Sequence, residues 1–181
     1  MKIRYAFLAI MCAALLTPRS AIAHAVVFPK KSTPGAYEKY VLRVPNEKGV
    51  ATTRVEIRFP AGMRIVSFGD VAGWQLEELR DSANAVIAAV WTGTLPPERF
   101  VEFPFVAVNP KEATTLSWPA YQTYANGERV DWVGAEESDK PASTTDIGSS
   151  SEGGGRLTLY LSIVAVLLSL MSLGLALRRA S

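Results

Sequence analysis

Arg54-Val55-Glu56-Ile57-Arg58-Phe59 alternates charged and apolar side chains at every position. Successive side chains of a strand point to opposite faces, so this stretch reads as a strand with one face on a core and the other in water. Outward from it the same grammar repeats. Short runs rich in Val, Ile, Tyr and Phe stand at Tyr37–Val44, Met63–Phe68, Trp74–Leu79, Ala85–Thr92, Phe100–Val108, Glu112–Trp118 and Arg129–Val133. Turn signals separate them at Pro45-Asn46, Pro60-Ala61-Gly62, Ala72-Gly73, Pro96-Pro97, Asn109-Pro110 and Asn126-Gly127. No stretch between them carries ten residues of clean helical periodicity, and there is no internal repeat. Roughly eight short strands at this spacing predict an all-β, two-sheet sandwich of the immunoglobulin or cupredoxin kind, between which pattern does not choose.

The ends of the chain have a different composition. The protein has 181 residues with 19 Lys+Arg and 17 Asp+Glu, a net charge of +2. All the acids lie between Glu38 and Glu152, while Lys2, Arg4, Arg19, Arg156, Arg178 and Arg179 flank them. Without those six, residues 24–155 hold thirteen basic against seventeen acidic side chains, a net −4. A mildly acidic domain lacks the clustered Lys and Arg that phosphate neutralisation requires, which argues against nucleic-acid binding.

Residues 1–23 combine a positive start, an apolar run from about Ala6 to Leu16, and Ala21-Ile22-Ala23 before the expected cut. This is the pattern of a secretory signal. Cys12 is the only cysteine and falls inside that apolar run. Cleavage therefore leaves a chain without disulfides or thiolate ligands, in which a metal must be held by nitrogen and oxygen. At the other end, Leu157 to Leu177 is an uncharged run of 21 residues. As a helix at 1.5 Å per residue it spans about 30 Å, the thickness of a bilayer core. Arg178-Arg179 follow it, so the positive-inside rule places the C-terminus in the cytoplasm and the sandwich outside. Glu137 to Arg156 is rich in Ser, Thr and Gly and reads as a flexible tether. The expected organisation is thus signal 1–23, sandwich 24–136, linker 137–156, transmembrane helix 157–177 and cytoplasmic tail 178–181. It describes a single-pass membrane protein with an extracytoplasmic domain, periplasmic or on the cell surface.

The chain has one histidine, His24, and it is the first residue after the expected cut. Cleavage would leave an α-amine and an imidazole Nδ1 on one residue, which together close a six-membered chelate ring. The amine has a pKa near 8, so a metal displaces its proton at modest cost. Two nitrogens with carboxylate oxygen nearby favour Cu(II); Cu(I) would prefer sulfur, and only Met63 and Met171 remain after cleavage. The residues alone leave a second reading open, in which His24 is a plain surface terminus.

Several blocks carry a family resemblance. They are His24 to Tyr40 (HAVVFPKKSTPGAYEKY), Arg43-Val-Pro-Asn-Glu-Lys48, Thr52 to Ile57, Ala120-Tyr-Gln-Thr-Tyr124, and Asn126 to Gly134 (NGERVDWVG). Together they resemble the YcnI-like family of exported bacterial copper-binding proteins over residues 24–147. The resemblance implies a cupredoxin-like sandwich that binds Cu(II) through a monohistidine brace of His24, Glu47 and Trp132. It also implies that a C-terminal membrane anchor is common. Read without it, Glu47 is a solvated carboxylate after a Pro-Asn turn, and Trp132 counts as core like Trp74, Trp91 and Trp118. Glu56 and Asp131 are further carboxylates that could serve a metal.

Three functions are consistent with these readings. The first is a membrane-tethered Cu(II) carrier, a chaperone or acquisition factor that meets a copper transporter or cuproprotein. The second is a metal-independent surface interaction module, since the fold carries no function by itself. The third, a copper-dependent oxidase, lacks the second histidine that supports such chemistry, and with the only histidine at the chain terminus no Ser-His-Asp arrangement forms; the expectation is a protein that is not an enzyme.

Overall fold

The computed structural model of the protein describes residues 24–148, and in addition residues 162, 163 and 165, whose backbone is helical. No helix among the described residues is long and apolar enough to cross a membrane. The expected signal 1–23 and tail 178–181, and all but three residues of the expected span 157–177, lie outside the described residues.

Twelve strands follow one another among the described residues. They are β1 (Val26–Phe28), β2 (Lys31–Ser32), β3 (Tyr37–Asn46), β4 (Thr52–Arg58), β5 (Arg64–Phe68) and β6 (Gln75–Arg80), then β7 (Val86–Leu95), β8 (Arg99–Val108), β9 (Thr114–Trp118), β10 (Ala120–Tyr124), β11 (Arg129–Trp132) and β12 (Ser143–Ile147). One sheet has the order β1-β3-β8-β5 and the other β11-β10-β4-β7-β6; a small third sheet, β2-β12-β9, covers one side. All pairs are antiparallel except β12 with β2. The alternation at 54–59 holds in direction: Val55 and Ile57 are buried on the core at 1% and 0% exposure and Arg58 is exposed, while Glu56, expected in water, is covered to 7% exposure between Arg54 and Arg58.

The eight expected strands are all present, with ends moved by a few residues. Four others, β1, β2, β10 and β12, were not anticipated. β1 and β2 are too short to show a period. β10 follows β9 after the single residue Pro119, which has no N–H for a ladder, and there the chain passes from the small sheet into the five-stranded one.

The expected tether needs correction at its start. Residues 137–148 belong to the folded domain, and β12 lies between β9 and β2. Thr145 is fully buried. Its hydroxyl donates to the Pro29 carbonyl at 2.8 Å and accepts from the Trp118 indole N–H at 3.1 Å. A Ser/Thr-rich strand brings little apolar surface of its own, and its order comes from the ladder and from neighbours that satisfy its hydroxyls.

Between the two large sheets the core is aromatic. Trp91 stacks on Phe103 with ring centroids 4.5 Å apart, and Tyr40 packs against Phe105 and Trp118 at 5.6 and 5.0 Å. Trp91 and Trp118 are buried, and Trp74 packs on the core from its edge. No buried side-chain nitrogen or oxygen among the described residues lacks a hydrogen-bond partner.

Tyr40 is the polar member of this core. Its Oη donates to Asn109 Oδ1 at 2.6 Å. Burial raises the Tyr40 pKa above its ordinary value, opposed by a hydrogen bond with Ser32, reinforced by the Glu38 carboxylate and opposed again by the bond to Asn109. The neutral phenol is thus the form that the fold favours. Its contribution is complete below the unfolded pKa of about 10 and is lost as pH rises through the higher folded value. Tyr40→Phe should cost about 1–2 kcal/mol at neutral pH and should flatten the loss of stability above pH 10. Urea unfolding at a series of pH values measures both.

Candidate metal centre

The site forms at the end of the sandwich where β3 finishes. β1 pairs antiparallel with β3, Val26 opposite Arg43 and Phe28 opposite Val41, so the same register carries residue 24 to the level of Pro45. Ala25 and Val27 are buried on the core and fix the direction in which the chain emerges. The backbone N–H of Val27 donates to Ser143 Oγ at 2.8 Å, and Lys30 Nζ donates to the same oxygen at 2.9 Å. The strand that composition alone assigns to a tether therefore fastens the one that presents His24.

His24 is half-buried and meets Trp132 edge to face, with ring centroids 5.4 Å apart. Trp132 is 6% exposed, on the core face of β11 opposite Ala120. Its indole N–H donates to Gln122 Oε1 at 3.4 Å. Gln122, itself 1% exposed, donates through Nε2 to the Pro45 carbonyl at 2.9 Å and to Thr52 Oγ1 at 2.8 Å. Trp132 is thereby linked to the chain just before Glu47. Asn46 controls the next step. Its Nδ2 donates to the Val50 and Leu95 carbonyls, and its Oδ1 accepts the Lys48 N–H at 3.1 Å, an Asx turn around Glu47.

Glu47 and Trp132 line one cavity of about 490 Å³, together with Pro45, Tyr124, Asp139 and Lys140. His24 lines a second of about 180 Å³ with Lys30, Glu136 and Ser143. The turn 134–142 contributes to both. It folds back tightly because Gly134 has no side chain: a Cβ there would stand 2.9 Å from the Lys140 carbonyl oxygen. Burial pushes the Tyr124 phenol pKa up, aided by the Glu128 and Glu47 carboxylates, so a neutral phenol faces Glu47. Burial likewise lowers the Lys30 pKa, with the Glu136 carboxylate opposing.

His24 thus meets the Trp132 ring and Glu47 lines the same cavity as Trp132, while His24 and Glu47 line different cavities. The two additional carboxylates are not brought to this place. Glu56 lies on the outer face of β4, bonded to Arg54 at 2.9 Å and Arg58 at 3.1 Å. Asp131 alternates with Trp132 and pairs with Arg129 at 2.6 Å on the solvent side. Among the described residues no group of three His, Cys, Asp or Glu side chains could hold a metal ion.

The residues that sequence reading passed over are Gln122, Asn46 and Ser143. One signal for Gln122 was present: in Ala120-Tyr-Gln-Thr-Tyr124 it shares its strand parity with Ala120 and Tyr124, a polar residue on an apolar face. Gln122→Leu should leave the Pro45 carbonyl and the Trp132 indole N–H buried without partners. The expected loss is about 1–3 kcal/mol in urea unfolding, with a shift in tryptophan emission.

Comparison with known proteins agrees with this architecture. The chain is 33% identical over 147 residues to the copper-binding protein CutI of Bacillus subtilis, covering 80% of this chain and 72% of CutI. It also superposes on the crystal structure of a protein from Nocardia farcinica with an immunoglobulin-like fold, at a TM-score of 0.60 and 25% identity. That match covers 70% of this chain and 99% of the other, and makes the fold an all-β immunoglobulin-like sandwich. The family model described as a domain of unknown function, DUF1775, matches residues 24–147, so the chain belongs to this family, the YcnI-like family that its sequence blocks resemble.

Proposed function

We propose that the protein is a membrane-anchored, extracytoplasmic Cu(II) carrier, which holds the ion at His24 after removal of residues 1–23 and hands it to a copper transporter or cuproprotein. The observation that carries this reading is the placement of His24 against Trp132, with Glu47 on the cavity that Trp132 lines. The copper-binding relative CutI supports copper as the cargo.

The chemistry follows from the donors. Cleavage before His24 supplies the α-amine that the side chains lack, and amine plus imidazole chelate the ion. Glu47 adds an anionic oxygen that offsets part of its charge, and nitrogen with carboxylate favours Cu(II) among first-row divalent ions. An indole is a poor donor; Trp132 shields one side of the ion from water and small oxidants, and Gln122 holds it in that position. Such a site exchanges its cargo without redox turnover, since the chain has no second histidine to complete an oxygen-activating set. A tether within residues 149–156 and the apolar run after it would keep the carrier near membrane partners.

Intact-mass measurement should find a mature chain that begins at His24. Electron paramagnetic resonance of the Cu(II) complex should show nitrogen coupling. Adding one alanine before His24 should abolish tight binding, because the amine then leaves the chelate ring; binding that survives the extension refutes the site. Glu47→Gln should weaken Cu(II) by about 10–100-fold while leaving the urea midpoint within experimental scatter.

A further inference from the structure

The two large sheets present opposite kinds of surface to the outside. On the five-stranded sheet the outward positions include Arg54, Glu56 and Arg58 of β4, Tyr121 of β10, and Arg129 and Asp131 of β11, with three ion pairs among the charged ones, and the apolar Ala88 and Val90 of β7 on the same face are buried. This is the polar outer face that a one-sided antiparallel sheet normally has. The four-stranded sheet departs from it. Outward from β1, β3 and β8 stand Phe28, Val41, Pro45, Phe100, Pro104 and Val106, all half-buried or exposed. Phe100 is 60% exposed, and Tyr37 at the start of β3 is 67% exposed. Arg43 lies between two of the rings, its Cζ 5.1 Å from Phe28 and 5.2 Å from Phe100, and pairs with Glu102 at 2.7 Å, which leaves Lys39 and Arg64 as the cations without an acid on this face. Lys39, Arg43 and Arg64 on this face outnumber its one acid, Glu102, although the domain as a whole is acidic.

We propose that this face docks on the anionic headgroup surface of the membrane that residues 157–177 enter. Aromatic rings with cations beside them suit the boundary between headgroups and acyl chains, where rings bury and guanidinium or ammonium groups meet lipid phosphate. A second copy of the chain fits less well, because face-to-face pairing sets the same positive excess against itself. The chain geometry points the same way. The described domain ends at Gly148, whose N–H donates to the Ser32 carbonyl, beside the end of the sheet where Tyr37 stands. Eight residues separate it from the apolar run. At about 3.3–3.6 Å each they reach at most some 26–29 Å, comparable with the length of β3, so the face stays within reach of the bilayer. Phe100 and Pro45 also line the groove that holds Glu47, so docking carries that end of the domain to headgroup level.

This inference rests on the membrane anchoring proposed above, and the test separates the two. The mature chain carries no cysteine, so Val106→Cys on this face and Thr123→Cys on the other each take one fluorescent label. The full mature chain is placed in nanodiscs of phosphatidylglycerol and phosphatidylcholine that contain a nitroxide-headgroup lipid. Quenching should be several-fold stronger at position 106 than at 123. It should fall to the level of 123 in a Phe28→Ser/Phe100→Ser variant, and drop with Lys39→Glu/Arg64→Glu or in discs of phosphatidylcholine alone. Equal quenching at the two positions overturns the docking while anchoring stands. Energy transfer between labelled chains without quenching at 106 overturns it in favour of a second copy. A chain that does not enter the disc overturns the anchoring and the tethered docking with it.

Discussion

The buried amide of Gln122 is the constraint around which one end of this protein is arranged. A polar group removed from water must find partners inside, and Gln122 finds them on three different segments: the Pro45 carbonyl, the Thr52 hydroxyl and the Trp132 indole. Those bonds couple the end of β3, the start of β4 and the last strand of the five-stranded sheet. Asn46 adds its own bonds to Val50 and Leu95 one residue before Glu47. Two buried amides therefore hold the surroundings of the candidate site in one arrangement, and the site can be preorganised although its donors stand on separate strands.

The same logic explains why the terminal segments fold where composition suggests they would not. β1 has three residues and β12 has five. Neither could stand alone, and each supplies what the other lacks: Ser143 accepts the Val27 N–H, and Thr145 links Pro29 to Trp118. The first and last parts of the domain are thus closed on each other beside the aromatic core.

Exposed apolar surface has a use only where something covers it, and the contrast between the outer faces of the two sheets locates that use. The five-stranded sheet carries three ion pairs on its outer face; the four-stranded sheet carries one, Arg43 with Glu102, among exposed rings and proline. Alternation in the sequence shows which residues of a strand lie outside but not that three separate strands pool their outer residues into one apolar surface.

The sequence by itself determined the all-β class, because a period of two is a property of neighbouring residues: Val55 and Ile57 had to share a face, and Glu56 had to take the other. It also determined that His24 is the single imidazole. Only the tertiary structure decided which of the four tryptophans meets His24 and which side chains share a cavity with that tryptophan. Those relations depend on sheet order and register, which join residues more than a hundred positions apart and leave no local pattern. For the same reason β12 was hidden in a segment that reads as tether: its order comes from hydrogen bonds that other strands supply, and composition records only what a segment brings itself.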